Sequence, residues 1–139
     1  MKFLKHIPKH AILAAMVFLS AAATFASEQC PAAVQTKQSL TISHHGWTAS
    51  NEETRFPLVS IRFSDGDPSD KAWLAPDGSK KPTVQYWNLP KSNRGYWISC
   101  GYGSTNIILY SQLPKYATKC EVWLDIGYQP PIALKYKCQ

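Results

Sequence analysis

The chain has 139 residues, with 15 Lys and Arg against 9 Asp and Glu and a formal net charge of +6. Three of the basic residues lie among the first 26, so the remainder carries twelve basic and nine acidic residues, a net charge of +3. So mild a net charge does not favour nucleic-acid binding, which needs a clustered basic stripe. We therefore expect no nucleic acid as a partner.

The first 26 residues have the three parts of a secretory signal peptide. Lys2, Lys5 and Lys9 form a positive start, an apolar stretch follows over 11–25, and small residues predict cleavage after Ala26. The stretch of about fifteen residues is shorter than the ~20 that a membrane-spanning helix needs. We expect residues 1–26 to be removed, and residues 27–139 to form a single exported domain without a stable membrane anchor.

All cysteines of the chain lie in the exported part: Cys30, Cys100, Cys120 and Cys138. An even number in a small exported chain predicts two disulfides. Their spacings of 70, 20 and 18 residues lack the close pairs of a zinc site. Two pairings are open: Cys120–Cys138 with Cys30–Cys100, or Cys30–Cys138 with Cys100–Cys120.

The last two cysteines flank a predicted β-hairpin formed by "CEVWLDI" and "IALKYKC". In an antiparallel pairing about the turn between them, Ile126 faces Ile132 and Cys120 faces Cys138. Directly opposed residues come within ~5.5 Å, which suits a disulfide. This favours the first pairing. The second stays open because bridges often tie the ends of a small domain together.

Short runs of β-branched and aromatic residues recur between prolines and turn residues, which predicts strands. In "LVSIRF", Val59, Ile61 and Phe63 face one way while Leu58 and Arg62 face the other, as in a sheet with one wet face. The other predicted strands are "SLTI", "KAWLA", "VQYWNL", "GYWISCGY", "TNIILY", "CEVWLDI" and "IALKYKC". The fold class is therefore mainly β, a single antiparallel sandwich or flattened barrel stapled by disulfides.

Two smaller predictions concern helices and tryptophans. A short helix is expected either over Pro31 to Lys37 or around Leu113 to Thr118. Most tryptophans are expected in the core or at its rim because of their large apolar surface: Trp47, Trp73, Trp87, Trp97 and Trp123.

The candidate catalytic residues do not form a catalytic set. Ser104 lacks the flanking glycines of the G-x-S-x-G elbow. Cys100 is expected to be oxidised, which removes the thiolate a nucleophile needs. His44 and His45 are sequence neighbours, which on a strand point to opposite faces. We predict no catalytic, metal-binding or cofactor-binding residues.

The most acidic segment, "FSDGDPSDKAWLAPDG", is interpreted as a loop. It departs from a calcium loop because Pro76 stands where the twelfth-position Glu belongs. A solvated turn is one interpretation, and an acidic loop that meets a basic partner is the other. Together with the turn after "YWISC", it supplies the predicted partner-binding residues: Asp65, Asp67, Asp70, Tyr102 and Ser104.

Several stretches carry a family resemblance: Cys30-Pro31, "FSDGDPSDKAWLAP", "YWISCGYGSTNIILYSQLP" and Cys120-Glu121-Val122. They resemble a family of small exported Gram-negative proteins, mostly of unassigned function, that is similar to periplasmic type VI secretion immunity proteins. The resemblance implies an immunity role in the periplasm. Because the chain also lacks a catalytic set, we predict that it is not an enzyme. The resemblance also implies a partner, a toxin directed at peptidoglycan, whose active site the protein would block.

Two other functions fit parts of the sequence. An inhibitor of host lysozyme would use the acidic loop, because lysozymes are basic. A carbohydrate- or peptidoglycan-binding module would expose Trp47, Trp73 or Trp87 on one face.

Overall fold

The computed structural model describes residues 29–50 and 54–139. The predicted signal peptide, residues 1–26, lies outside the described residues. In the described part, no helix is both long enough and apolar enough to span a membrane.

The described residues form eight strands, in chain order β1 (Ala33–Gln35), β2 (Arg55–Asp65), β3 (Gly78–Lys81), β4 (Val84–Asn88), β5 (Tyr96–Tyr102), β6 (Ile108–Gln112), β7 (Lys119–Asp125) and β8 (Ile132–Cys138). They build two four-stranded antiparallel sheets, in the orders β1-β2-β5-β6 and β3-β4-β7-β8. A 3₁₀ turn, Pro68–Asp70, follows β2. The predicted mainly β, antiparallel fold class is confirmed.

The core lies between the two sheets and is centred on Phe63 of β2, which is fully buried. The Phe63 ring meets Trp87 of β4 edge-on at 5.0 Å and Tyr136 of β8 at 6.4 Å between ring centroids. Because Trp87 and Tyr136 belong to the second sheet, these contacts hold the two sheets together. Edge-to-face pairs add to the free energy that burial alone contributes.

Strand β2 is irregular, and the predicted alternation is wrong at its start. Its register against β5 shifts between Leu58 and Ser60. The extra residue of a bulge turns the following side chains over, so Leu58 is buried on the same side as Ile61 and Phe63 while Val59 is half-buried. Arg62 is exposed, as predicted.

The β7–β8 hairpin pairs Cys120 with Cys138, and the two form a disulfide. The predicted pairing of Ile126 with Ile132 is wrong by one residue. A register shift between Trp123 and Leu124 places Asp125 opposite Ile132 and leaves Ile126 in the turn.

The second disulfide joins Cys30 to Cys100 on β5. It ties the beginning of the described chain to the middle of the first sheet. The pairing left open by the sequence is therefore Cys120–Cys138 with Cys30–Cys100, and the alternative pairing is wrong.

Several smaller predictions are also wrong. Neither predicted helix forms, since residues 31–37 contain β1 and residues 113–118 form a turn. "SLTI" is not a strand, and "KAWLA" contributes only the isolated bridge of Trp73 to Ser64. Trp87 is buried as expected, but Trp47 is 83% exposed.

An ion pair between β3 and β7 reaches across β4, from the Lys80 ammonium to the Glu121 carboxylate. Lys119 approaches the same carboxylate at 3.6 Å. The hydrogen bond from Lys80, followed by the positive charges, lowers the pKa of Glu121 below its ordinary value.

Candidate functional site

A group of large side chains covers the side of the first sheet that points away from the core. Opposed residues in a ladder share a face of the sheet. Two cross-strand rows reach this side: Arg62, Ser99 and Tyr110 in one, and Trp73, Ser64 and Trp97 in the other. We call the four large side chains the aromatic face: Arg62, Trp73, Trp97 and Tyr110.

The aromatic face is held by contacts among its own side chains. The Arg62 guanidinium lies 4.7 Å from the centre of the Trp73 ring, within cation–π range. The Trp97 and Tyr110 rings meet edge-on with centroids 6.0 Å apart. Arg62 and Tyr110 are exposed while Trp73 and Trp97 are half-buried. The face therefore presents two exposed side chains, each seated against a tryptophan.

Two serines lie beneath these side chains and differ in their hydrogen bonding. Ser64 and Ser99 are 0% and 1% exposed, although both belong to the outward side of the sheet. The Ser64 hydroxyl donates to the Gly66 carbonyl at 2.9 Å. The Ser99 hydroxyl is the one buried side-chain polar atom of the described residues without a hydrogen-bond partner. Water is thus excluded from the base of the aromatic face.

Asp65, Asp67 and Asp70 of the predicted acidic loop each have a partner within the protein. The Asp65 carboxylate accepts from the Ser92 hydroxyl at 2.5 Å. Asp67 begins the 3₁₀ turn and accepts from the hydroxyl and the backbone N–H of Ser69, at 2.7 and 2.8 Å. These two bonds, the hydroxyl first, lower the pKa of Asp67.

The third acidic residue of the loop, Asp70, forms an ion pair with Arg94. Both partners are exposed, so water screens the pair and it contributes little to stability. The three carboxylates are brought together at one end of β2, but Asp65 and Asp70 already bind Ser92 and Arg94 in the loop between β4 and β5. Their role in binding a partner stays a prediction.

The other two predicted residues lie in different environments. Tyr102 ends β5 with its side chain only 3% exposed, and its hydroxyl donates to the Pro31 carbonyl at 3.0 Å. Burial raises the pKa of Tyr102. Ser104 is exposed in the following turn at a positive φ of 58°, and its carbonyl accepts from the Gln38 amide at 3.1 Å. Ser104 is therefore the accessible member of this pair.

A basic cleft of about 570 Å³ opens at the end of β6. Gln112, the last residue of β6, lines it together with Lys91, Arg94 and Lys115. No acidic side chain lines the cleft, and within the described residues neither lysine forms an ion pair. The cleft therefore presents positive charge beside the aromatic face.

The histidines and cysteines lie outside these surfaces. His44 and His45 are exposed in the segment before β2. All four cysteines are in disulfides. Among the residues that the structure describes, no three His, Cys, Asp or Glu side chains are grouped so as to hold a metal ion.

Comparison with known families matches residues 51–139 to the type VI secretion system Tli immunity protein. The chain belongs to this family. No curated protein and no solved structure matches the chain. The matched range includes every strand except β1, and it contains the whole aromatic face and the basic cleft.

The sequence did not single out these two surfaces as protein-binding sites, although it placed Arg62 on the wet side of its strand and Trp73 on the binding face of the alternative carbohydrate-binding module. Arg62 and Tyr110 are 48 positions apart in the sequence and share a cross-strand row only through the register of three strands. One signal was present: the polar residues of β2 alternate with Ile61 and Phe63, which marks the outward side of the strand.

Proposed function

We propose that this chain is a periplasmic immunity protein that binds a type VI secretion effector directed at the cell wall and covers its active site. Membership of the Tli immunity family supports the immunity role. The aromatic face supports the proposed binding surface, because Arg62 and Tyr110 are exposed there and each packs against a tryptophan.

The chemistry of this face suits a protein partner. Trp, Tyr and Arg supply a large share of the binding energy at protein interfaces. Here the exposed side chains are already placed by ring contacts, so less side-chain freedom is lost when a partner binds. The two disulfides and the buried serines beneath the face support the same geometry in the free protein.

The proposed compartment follows from the disulfides and from the export signal expected over residues 1–26. Disulfides persist in oxidising compartments such as the periplasm. An effector that acts there meets peptidoglycan and membrane lipid, and we propose peptidoglycan as its substrate. The protein acts by binding alone, without chemistry of its own.

Cell rescue tests the proposal directly. The proposed effector, sought first among toxin genes adjacent to this gene, is exported to the periplasm of a sensitive strain, with and without this chain. We expect survival only when the chain is co-exported. Lysis in both cultures, despite accumulation of the folded and oxidised chain, would contradict the immunity role.

The substrate of the effector needs a separate assay. Purified effector is incubated with peptidoglycan sacculi and, in parallel, with phospholipid vesicles. Release of soluble wall fragments is the expected result. Hydrolysis of the lipid with intact sacculi would show that peptidoglycan is not the effector's substrate, while the immunity role would still stand.

The aromatic face is tested with a matched pair of tyrosines. Tyr110 and Tyr128 are 58% and 56% exposed, but Tyr128 lies in the β7–β8 turn. We expect Tyr110→Ala to weaken effector binding by about tenfold or more, as for a hot-spot side chain, and Tyr128→Ala to leave it unchanged. Calorimetric titration measures both affinities. Equal affinities for the two variants would show that binding occurs elsewhere.

A further inference from the structure

Strand β6 is the outer strand of the first sheet, and it is unusually open. In the described part of the chain it pairs with β5 alone. All five of its residues, Ile108–Gln112, are exposed. Ile107 precedes them and is exposed as well, so "IILY" forms an apolar run along a sheet edge.

The register shows which backbone groups face the open side. The Leu113 N–H donates to the Tyr96 carbonyl at 2.8 Å, so this pair is hydrogen-bonded across the ladder. In an antiparallel ladder, hydrogen-bonded and non-hydrogen-bonded pairs alternate, and the β5–β6 register has no shift. The N–H and C=O groups of Ile108, Tyr110 and Gln112 therefore point away from β5, toward the open edge.

The three other outer strands carry features that discourage pairing. Exposed edges are commonly protected by shortness or by lysine. Strand β1 has three residues. Strand β3 ends in Lys80 and Lys81, and β8 contains Lys135 and Lys137. Strand β6 has no charge and no proline, so it alone among these edges is ready to accept another strand.

The surroundings of β6 indicate the chemistry of what binds. The basic cleft begins at Gln112, the last residue of the strand, and contains Lys91 and Lys115 without ion-pair partners in the described residues. A strand laid along β6 would carry its end, or its next residues, into this cleft. Positive charge there favours an acidic side chain or a carboxylate.

We propose that an extended segment of the effector adds to the first sheet beside β6. Its backbone bonds to the free groups of Ile108, Tyr110 and Gln112, and acidic residues adjoining it enter the basic cleft. This inference rests on the proposed function, which supplies the partner. Strand addition gives affinity through main-chain hydrogen bonds, while neighbouring pockets select the sequence.

Proline substitutions test the backbone contacts. At Ile108 and Tyr110, proline removes only an outward-facing N–H, and proline is tolerated on edge strands in that orientation. Each proline variant is compared with alanine at the same position, which loses the side chain and keeps the N–H. We expect Ile108→Pro and Tyr110→Pro to bind the purified effector at least about tenfold more weakly than Ile108→Ala and Tyr110→Ala.

Thermal unfolding and thiol titration first establish that each proline variant is folded and oxidised. Two positions are used so that the test still stands if one variant misfolds. Proline and alanine variants of equal affinity would overturn the strand addition, although wild-type binding would keep the immunity role. A wild-type chain that does not bind the effector would overturn both.

Charge reversal tests the acidic neighbour. The double variant Lys91→Glu/Lys115→Glu should weaken effector binding by about tenfold or more at low salt, and the difference should shrink as salt is added. Lys81→Glu, on the protected edge β3, is the matched control and should bind as the wild type does. An unchanged affinity for the double variant would remove the acidic residues from the proposal.

A second copy of this chain is the other occupant that an open edge could accept. Sedimentation of the free chain separates the two. The proposal would be overturned if the wild type dimerised, Tyr110→Pro were monomeric, and Tyr110→Pro bound the effector as tightly as Tyr110→Ala. These results would assign β6 to self-association. A monomeric wild type that binds the effector through β6 is the expected result.

Discussion

The paired serines beneath the aromatic face give a sharp test of the buried hydrogen bonding. Ser64 and Ser99 have the same side chain, the same sheet face and nearly the same burial. They differ in one respect, because the Ser64 hydroxyl donates to the Gly66 carbonyl and the Ser99 hydroxyl has no hydrogen-bond partner among the described residues. Each is changed to alanine, which removes the hydroxyl with little change in volume.

The expected changes have opposite signs. A buried hydroxyl without a partner costs about 1–3 kcal/mol of desolvation, so Ser99→Ala should stabilise the fold by about 1 kcal/mol. Ser64→Ala removes a hydrogen bond and leaves a carbonyl unpaired, so it should destabilise the fold by about 1 kcal/mol. With a urea m-value of about 2 kcal/mol/M, the two midpoints should differ by about 1 M.

Urea unfolding followed by tryptophan fluorescence measures both variants, with the disulfides kept oxidised. The m-value must stay constant for the midpoints to report stability. The opposite result would be a urea midpoint that Ser99→Ala lowers as much as Ser64→Ala does. The Ser99 hydroxyl would then have a hydrogen-bond partner in solution, and the predicted stabilisation would be wrong.

Two further predictions concern stability. Replacing Cys30 and Cys100 by serine should lower the free energy of unfolding by about 1 kcal/mol more than replacing Cys120 and Cys138. The closed loops span 70 and 18 residues, and the chain entropy that a bridge removes from the unfolded state grows with loop length. Equal losses of stability in the two double variants would contradict this. Glu121→Gln should lower the free energy of unfolding at neutral pH, because it removes the carboxylate of the β3–β7 ion pair. The difference in this free energy between variant and wild type should shrink as the pH falls below the ordinary pKa of 4.5 and through the lowered pKa of Glu121, since a protonated carboxyl no longer favours the ion pair. A difference independent of pH would exclude that ion pair as the cause.

The hairpin of β7 and β8 shows what local pattern can predict. Its strands and the opposition of Cys120 and Cys138 follow from alternation around a proline-containing turn, and both are confirmed. The pairing of Ile126 with Ile132 failed because one extra residue in β8, Leu134, shifted the register. The bulge near Leu58 misled the prediction for β2 in the same way. A bulge depends on the partner strand, so one strand's sequence does not reveal it.

The candidate site was less predictable than the fold. The acidic loop was visible as composition, but its hydrogen bonds to Ser69 and Ser92 depend on how the loop closes. The contact of Trp97 with Tyr110 depends on strand order, and so does the open edge of β6. Strand order is a property of the whole sheet, and short strands do not encode it individually.

The most direct test of the account is the effect of this chain on effector turnover. Purified effector is mixed with peptidoglycan, and the oxidised chain is titrated in while soluble wall fragments are measured. We predict that fragment release falls to the background level as the complex saturates, with Tyr110→Ala displaced to higher concentration and Tyr128→Ala unchanged. Fragment release that continues undiminished at saturation would contradict the claim that this chain neutralises the effector by covering its active site.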